Sequence, residues 1–215
     1  MARRDTTIPS SLAEEDTAAT KSARTRARIL DAAAKMLSVK GYSGMRLADV
    51  AEVASLQAPA IYYYFESRET LIEEVMWVGI ADMREHLIGI LDALPESTTA
   101  LDRILVAVEA HLRHELEISD YTTASIRNAG QIPEALRTRQ VAEEKKYGEI
   151  WRDLMRRASE EGVIRPDLDL YIAQMLVFGS LNWTAEWWNP KRGTIDQVVK
   201  NAQSFVRHAL TSCDV

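Results

Sequence analysis

Residues 46–65 read RLADVAEVASLQAPAIYYYF, and the fold is decided there. Leu47, Val50, Ala51 and Ala54 recur at helical spacing, so a short helix carries one apolar stripe. Ser55 interrupts the pattern. Pro59 stands near the start of a second helix, where its missing N–H costs nothing. Ile61 and Phe65 lie four apart and face inward together. Gln57, Ala58, Pro59, Tyr62 and Tyr63 are left on or beside an outward face. Two short helices joined by a turn, the second with polar and aromatic tips outward, form the helix-turn-helix arrangement. Binding to duplex DNA is the first function to consider.

The rest of the composition sets bounds on that reading. A chain of 215 residues with 47% hydrophobic content has material for one large or two small helical domains. Its net charge of −6 argues against nucleic acid, but the charge is unevenly spread. Residues 21–70 carry 8 Lys and Arg against 5 Asp and Glu, whereas residues 71–215 carry 16 against 23. A locally basic module on an acidic body suits a protein that meets phosphate with one end. The single cysteine, Cys213, cannot form an intrachain disulfide, so nothing demands an oxidising compartment. No apolar run approaches the ~20 residues of a membrane helix, and no apolar segment follows Arg3 and Arg4 as in a signal peptide. A soluble, cytoplasmic protein with no membrane contact is expected.

From about Thr25 to Leu210 the pattern is all-α, with no strand alternation and no repeat. A first helix over 25–40 has Ile29, Leu30, Ala33, Met36 and Leu37 inward and Gly41 as its C′ residue. Ser67 is read as the N-cap of a long helix reaching about Leu94, with Glu69 in its first turn. Further helices are expected over 98–118, 121–128 and 134–161, the last with Glu143, Glu144 and Glu149 on a solvated face. Leu170 to Trp188 is apolar nearly all round, and Ile195 to Leu210 has a clean stripe. Two such helices at the end of a chain suggest a homodimer interface.

The segment from Arg28 to Val75 resembles the N-terminal domain of the TetR (tetracycline repressor) family of transcriptional regulators. ILDAAAKMLSVKGY in helix one, RLADVAEVA in helix two and APAIYYYFESRETL across helix three and the start of helix four carry the resemblance. It implies three parts: an N-terminal arm over 1–23, expected to be disordered, a helix-turn-helix domain over 24–70, and a ligand-binding and dimerisation domain over 71–215. It also implies a repressor that binds a palindromic operator as a dimer and is released by a small hydrophobic effector. Gln57, Ala58, Pro59, Tyr62 and Tyr63 occupy places that meet DNA, and Tyr64 reaches toward a phosphate. Three positions depart from the family pattern. Arg46 replaces a capping Ser or Thr, Ser55 replaces the turn glycine, and Ala58 offers only methyl contact to a base. Arg24 and Arg28, with Lys21 and Arg26, could follow the DNA backbone, and Arg68 is a further phosphate candidate.

On the effector side the inner-face residues Met83, Leu87, Val108, His111, Tyr121, Arg127, Tyr147, Trp151, Met155, Phe178, Asn182 and Trp183 are the candidates. Most are apolar or aromatic, which suits a hydrophobic ligand. The segment GSLNWTAEWWNP is similar to one in TetR-type regulators of fatty-acid and acyl-CoA metabolism. His111, Arg127 and Asn182 are the polar groups suited to orienting a carbonyl or thioester. His111 and His114 stand three apart, but no acidic or cysteine partner has metal-site spacing, so no metal is expected. No cofactor motif and no catalytic motif of the Gly-x-Ser-x-Gly, His-Glu-x-x-His or Gly-x-Gly-x-x-Gly type is present, so no enzyme is expected. The alternative is an all-helical small-molecule-binding or enzymatic dimer with no DNA role.

Overall fold

The computed structural model describes residues 10–212. Among them there is no strand, and the helices run in the order α1 (Ser10–Gly44), α2 (Leu47–Val53), α3 (Ala58–Ile61), α4 (Arg68–Asp92) and α5 (Ala100–Arg113). There follow α6 (Asp120–Asn128), α7 (Thr138–Glu160), α8 (Leu170–Asn182), α9 (Thr184–Trp187) and α10 (Ile195–Leu210). A π turn, His114–Ile118, extends α5, and a 3₁₀ turn, Glu134–Leu136, precedes α7. No helix among the described residues is long and apolar enough to cross a membrane.

Several boundaries follow from the residues that set them. Gly41 adopts φ 69, the left-handed conformation that ends a straight helical run and that glycine takes without steric cost. Ser67 caps α4 by accepting from the Thr70 N–H, and Asp169 caps α8 from the Ile172 N–H. Thr194 and Gln197 form a reciprocal capping box at α10.

Other boundaries differ from the sequence reading. α1 begins at Ser10, not near Thr25, so residues 10–23 of the expected arm are helical. Residues 10–24 contain neither Gly nor Pro and include four Ala, so nothing in them stops the helix short of Ser10. Residues 1–9 of that arm and Cys213 lie outside the described residues. The expected single helix from Leu170 to Trp188 is broken at Trp183. There the Thr184 hydroxyl donates to Leu181 O at 2.6 Å, competing with the backbone ladder.

Two apolar clusters fill the interior. One, beneath α2 and α3, gathers Ile29, Leu37, Met45, Ile61, Phe65 and Leu71. The other gathers Met83, Leu87, Ile104, Trp151, Val177 and Val206. α4 serves both, giving Ile72, Val75 and Met76 to the first and Ile80, Met83 and Leu87 to the second. Gly79 stands between those two sets. A Cβ there would fall inside contact distance of Ser125 Oγ and Tyr121 O, so α4 and α6 approach backbone to backbone. Thr122 Oγ1 donates to Gly79 O at 3.0 Å and Ser125 Oγ to Met76 O at 2.8 Å across that seam.

Candidate functional site

The helix-turn-helix end is built as its sequence implies. Arg46 precedes α2 in extended conformation, makes no side-chain cap bond and is exposed. Ser55 sits at φ 54, the left-handed region where a side chain is strained and the replaced glycine would not be. Gln57 is the exposed N-cap of α3, and exposed Pro59 occupies its first turn. Ile61 and Phe65 are buried, whereas Tyr62 and Tyr63 are 59% and 82% exposed. Tyr64 is half-buried and meets the Tyr63 ring edge-on at 5.1 Å. Ala58 is half-buried.

The arginines divide. Arg24 is exposed. Arg28 donates to Ala54 O, closing the C-terminus of α2. Arg68 is tied inward: it donates to Tyr42 O and, at 3.2 Å, to Met45 O, with its guanidinium 4.7 Å over the Tyr42 ring. Arg68 thus fastens the 42–45 turn onto α4, where the sequence suggested a phosphate partner. Arg26 grips both Glu74 oxygens at 2.7 and 2.5 Å and lies over Phe65.

In the other half a cavity of about 470 Å³ opens among α4, α5, α6, α7 and α8. Of the expected contacts, Met83, His111, Tyr147, Phe178 and Asn182 line it. Leu87, Val108, Trp151 and Met155 are buried in the surrounding core but are not on its wall. Three other candidates are engaged elsewhere. Tyr121 donates its hydroxyl to Asp31 at 2.7 Å, and Arg127 bonds Ser38 O at 2.7 Å and Glu186 at 3.2 Å. Trp183 is exposed on the outer surface. The wall residues that sequence reasoning missed include Val141, Lys145, Gly148 and Arg152, which recur every three or four residues along α7. That periodicity is visible in the sequence, but two of the four residues, Lys145 and Arg152, are charged. Glu143, assigned to solvent, is buried and paired with Arg84 at 2.9 Å and Lys146 at 2.6 Å.

Buried polar chemistry lies beneath the cavity. His111 Nδ1 is 3.0 Å from the Tyr147 hydroxyl, and its Nε2 is 3.7 Å from Glu115 Oε2. Burial pushes the His111 imidazole down to about 3, against an upward pull from Asn182. Burial pushes Glu115 well above the usual carboxylate range, with Thr184 pulling it partly back. His111 is therefore uncharged at neutral pH, and burial holds Glu115 toward its protonated form. His114 faces other partners, Thr122 at 2.9 Å and Asp82 at 3.3 Å.

Residues 29–75 match the family of bacterial regulatory proteins called the tetR family, and residues 97–210 match the tetracyclin repressor-like C-terminal domain. The chain belongs to the tetR family. The regulator is 23% identical over 166 residues to the HTH-type transcriptional repressor KstR2 of Mycobacterium tuberculosis, spanning 77% of this chain and 82% of that protein. It is 25% identical over 167 residues to the fatty acid metabolism regulator protein of Bacillus subtilis, spanning 75% and 81%. Its fold matches that of AibR, solved with isovaleryl coenzyme A and operator DNA, at TM-score 0.75 and 19% identity. That match covers 84% of this chain and 97% of AibR. The two relatives matched by sequence are named as a transcriptional repressor and a metabolism regulator.

The regulator also carries an uncovered apolar surface on its last helices. Ile172, Leu176 (69% exposed), Trp183, Trp187 and Phe205 all face outward from α8, α9 and α10. A patch of this kind on one protomer marks a protein contact.

Proposed function

We propose that this tetR-family regulator is a repressor that binds a palindromic operator as a dimer and lets go when an acyl-CoA-like effector enters its cavity. The reading head spans about residues 24–70, and the effector and dimerisation body 71–215. The observation that carries the DNA half is the exposure of Gln57, Pro59, Tyr62 and Tyr63 around buried Ile61 and Phe65. Packing alone gives those tyrosines no reason to face water, and a reading helix needs such tips to meet base edges. Arg46 and Arg24, both exposed, supply phosphate contacts that hold register. The apolar face of α8 and α10 pairs two copies, setting two α3 segments ~34 Å apart on successive major grooves.

The cavity supports the effector half. Its volume falls within the ~300–1,000 Å³ of small-molecule sites. Ile80, Met83, Ile126 and Phe178 give it an apolar interior, while Lys145 and Arg152 stand exposed at its edge. That combination fits a hydrophobic group joined to a phosphorylated carrier. AibR was solved with such a thioester, and the Bacillus subtilis relative is named for fatty-acid metabolism. α4 starts at the head and walls the cavity through Ile80 and Met83, so a ligand that prefers one packing of α4 shifts the spacing of the two heads.

Fluorescence anisotropy on the DNA upstream of its own gene tests the reading. The dimer should bind that DNA tightly, and dodecanoyl-CoA should release it. DNA affinity no better than for random duplex would refute the repressor, and an operator complex indifferent to every acyl-CoA would refute the effector class.

A further inference from the structure

The buried and the exposed residues on the wall of the effector cavity lie on different helices. Ile80 and Met83 of α4, His111 of α5 and Ser125 of α6 are buried. The exposed wall residues are Lys145 and Arg152 of α7, with Tyr171, Met175, Gly179 and Asn182 of α8. The cavity therefore reaches solvent between α7 and α8.

Gly148 stands on that border, half-buried and in the interior of α7. There glycine is the poorest helix former apart from proline. Packing does not ask for it: a Cβ at Gly148 would meet only Gln174 Nε2, at 3.7 Å, which is ordinary contact. Gly79 is the opposite case, because a Cβ there would run into α6. What Gly148 offers instead is open space against bare backbone, which a ligand passing over the helix needs.

Its neighbours indicate what passes. Lys145 lies three residues before Gly148 and Arg152 four after it, so all three share one face of α7. The two cations stand ~10 Å apart along the axis at ~1.5 Å per residue. Lys146 and Arg156 of the same helix are paired with Glu143 and Glu160. Among the described residues, Lys145 and Arg152 have no carboxylate within salt-bridge distance. Glu144, also on the cavity wall, is held by Gln140 at 2.8 Å and Arg137 at 3.6 Å. Two unpaired cations on either side of a bare step in the helix match the phosphates of a carrier whose apolar cargo lies inside.

We infer that Gly148 is the threshold of the effector site. The carrier arm of an acyl-CoA crosses α7 over it, with the acyl chain inside the cavity and the phosphates held outside by Lys145 and Arg152. The inference rests on the acyl-CoA reading above and gives that ligand its path of entry.

Titration calorimetry on the full chain tests this with dodecanoyl-CoA and with dodecanoyl-N-acetylcysteamine, which keeps the thioester and lacks the phosphates. The CoA ester should bind about tenfold or more tighter. Gly148→Leu lays a side chain across the threshold and should weaken dodecanoyl-CoA binding about tenfold or more; unchanged affinity overturns the inference. Gly148→Ala, which adds only the Cβ, should melt at or above the unmodified chain, because alanine is the better helix former. Lower melting of that variant would mean that packing needs the glycine, and overturns the inference as well. The double variant Lys145→Gln, Arg152→Gln should bring the two esters within about threefold of each other. It decides the matter should the Leu variant not fold, and a preference that survives it counts against the inference. Gly179 on α8 also lines the cavity with open space beside it. Binding blocked in Gly179→Leu but intact in Gly148→Leu moves the crossing to α8 and overturns the assignment to α7. Equal binding of the two esters by the unmodified chain overturns the inference and leaves an acyl effector standing. Binding of neither overturns it together with the acyl-CoA reading.

Discussion

The cluster beneath the reading head is made of apolar side chains, whereas the effector half buries His111, His114, Glu115 and Glu143. The head carries its chemistry outside, on Gln57, Tyr62 and Tyr63, over a close-packed apolar cluster. The body keeps its chemistry inside, where unpaired polar atoms cost stability. A reader must hold its shape, and a sensor must have a second arrangement within reach. α4 and α6, pressed together at Gly79, are where the two kinds of interior join.

The largest test of that contrast attacks the join. Gly79→Val places a branched side chain into the α4–α6 seam, and overpacking of this kind should cost about 3 kcal/mol. Urea denaturation should show it as a lowered midpoint. An unchanged midpoint would mean that the two helices do not touch there.

Next comes the buried histidine. Folded His111 titrates at about 3 and the unfolded residue near 6.5. Below 6.5 the unfolded chain binds the extra proton, so stability is lost as pH falls toward 3. His111→Phe removes this dependence. Its stability relative to the unmodified chain should rise by about 2 kcal/mol between pH 7 and pH 5. Glu115 works in the opposite sense, holding its proton in the folded chain above pH 4.5, so its contribution falls as pH rises. A stability difference between the two chains that is flat with pH would show His111 to be solvated. No titratable side chain of the head's apolar core should show a comparable effect.

A change on the head's exterior should spare the fold and touch only binding. Tyr63→Ala should weaken operator binding about tenfold, or ~1.4 kcal/mol, with the melting temperature unmoved. Arg46→Ala should lower the slope of binding against log salt by about one. A fall in melting temperature for Tyr63→Ala would place that ring in the core. The smallest effect is expected at the turn. Ser55→Gly relieves a left-handed conformation and should stabilise the head by ~0.5–1 kcal/mol.

Much of the head could be read directly from its residues. Gly41, Ser67 and the inward pair Ile61 and Phe65 act through neighbours within four positions, so a linear reading suffices for them. Even the departures at Arg46 and Ser55 show in the backbone as expected, one without a cap bond and the other left-handed. The body was less legible. Leu87, Val108, Trp151 and Met155 share an apolar character with Met83 and Phe178, yet only the latter two reach the cavity. Tyr121 and Arg127 looked inward by spacing and instead bond α1, more than 80 residues away in the chain. Arg68 looked free for phosphate and instead bonds the turn before α2.

The amino-acid order alone determined the helical character, the caps, the two-helix reading unit with its outward tyrosines, and the family. Each depends on local periodicity and on side chains that bond their own backbone. The tertiary structure decided which polar groups lose water, which arginines remain free and where empty space is left. Those depend on helices far apart in sequence meeting at particular angles, and burial is a property of the meeting rather than of either partner.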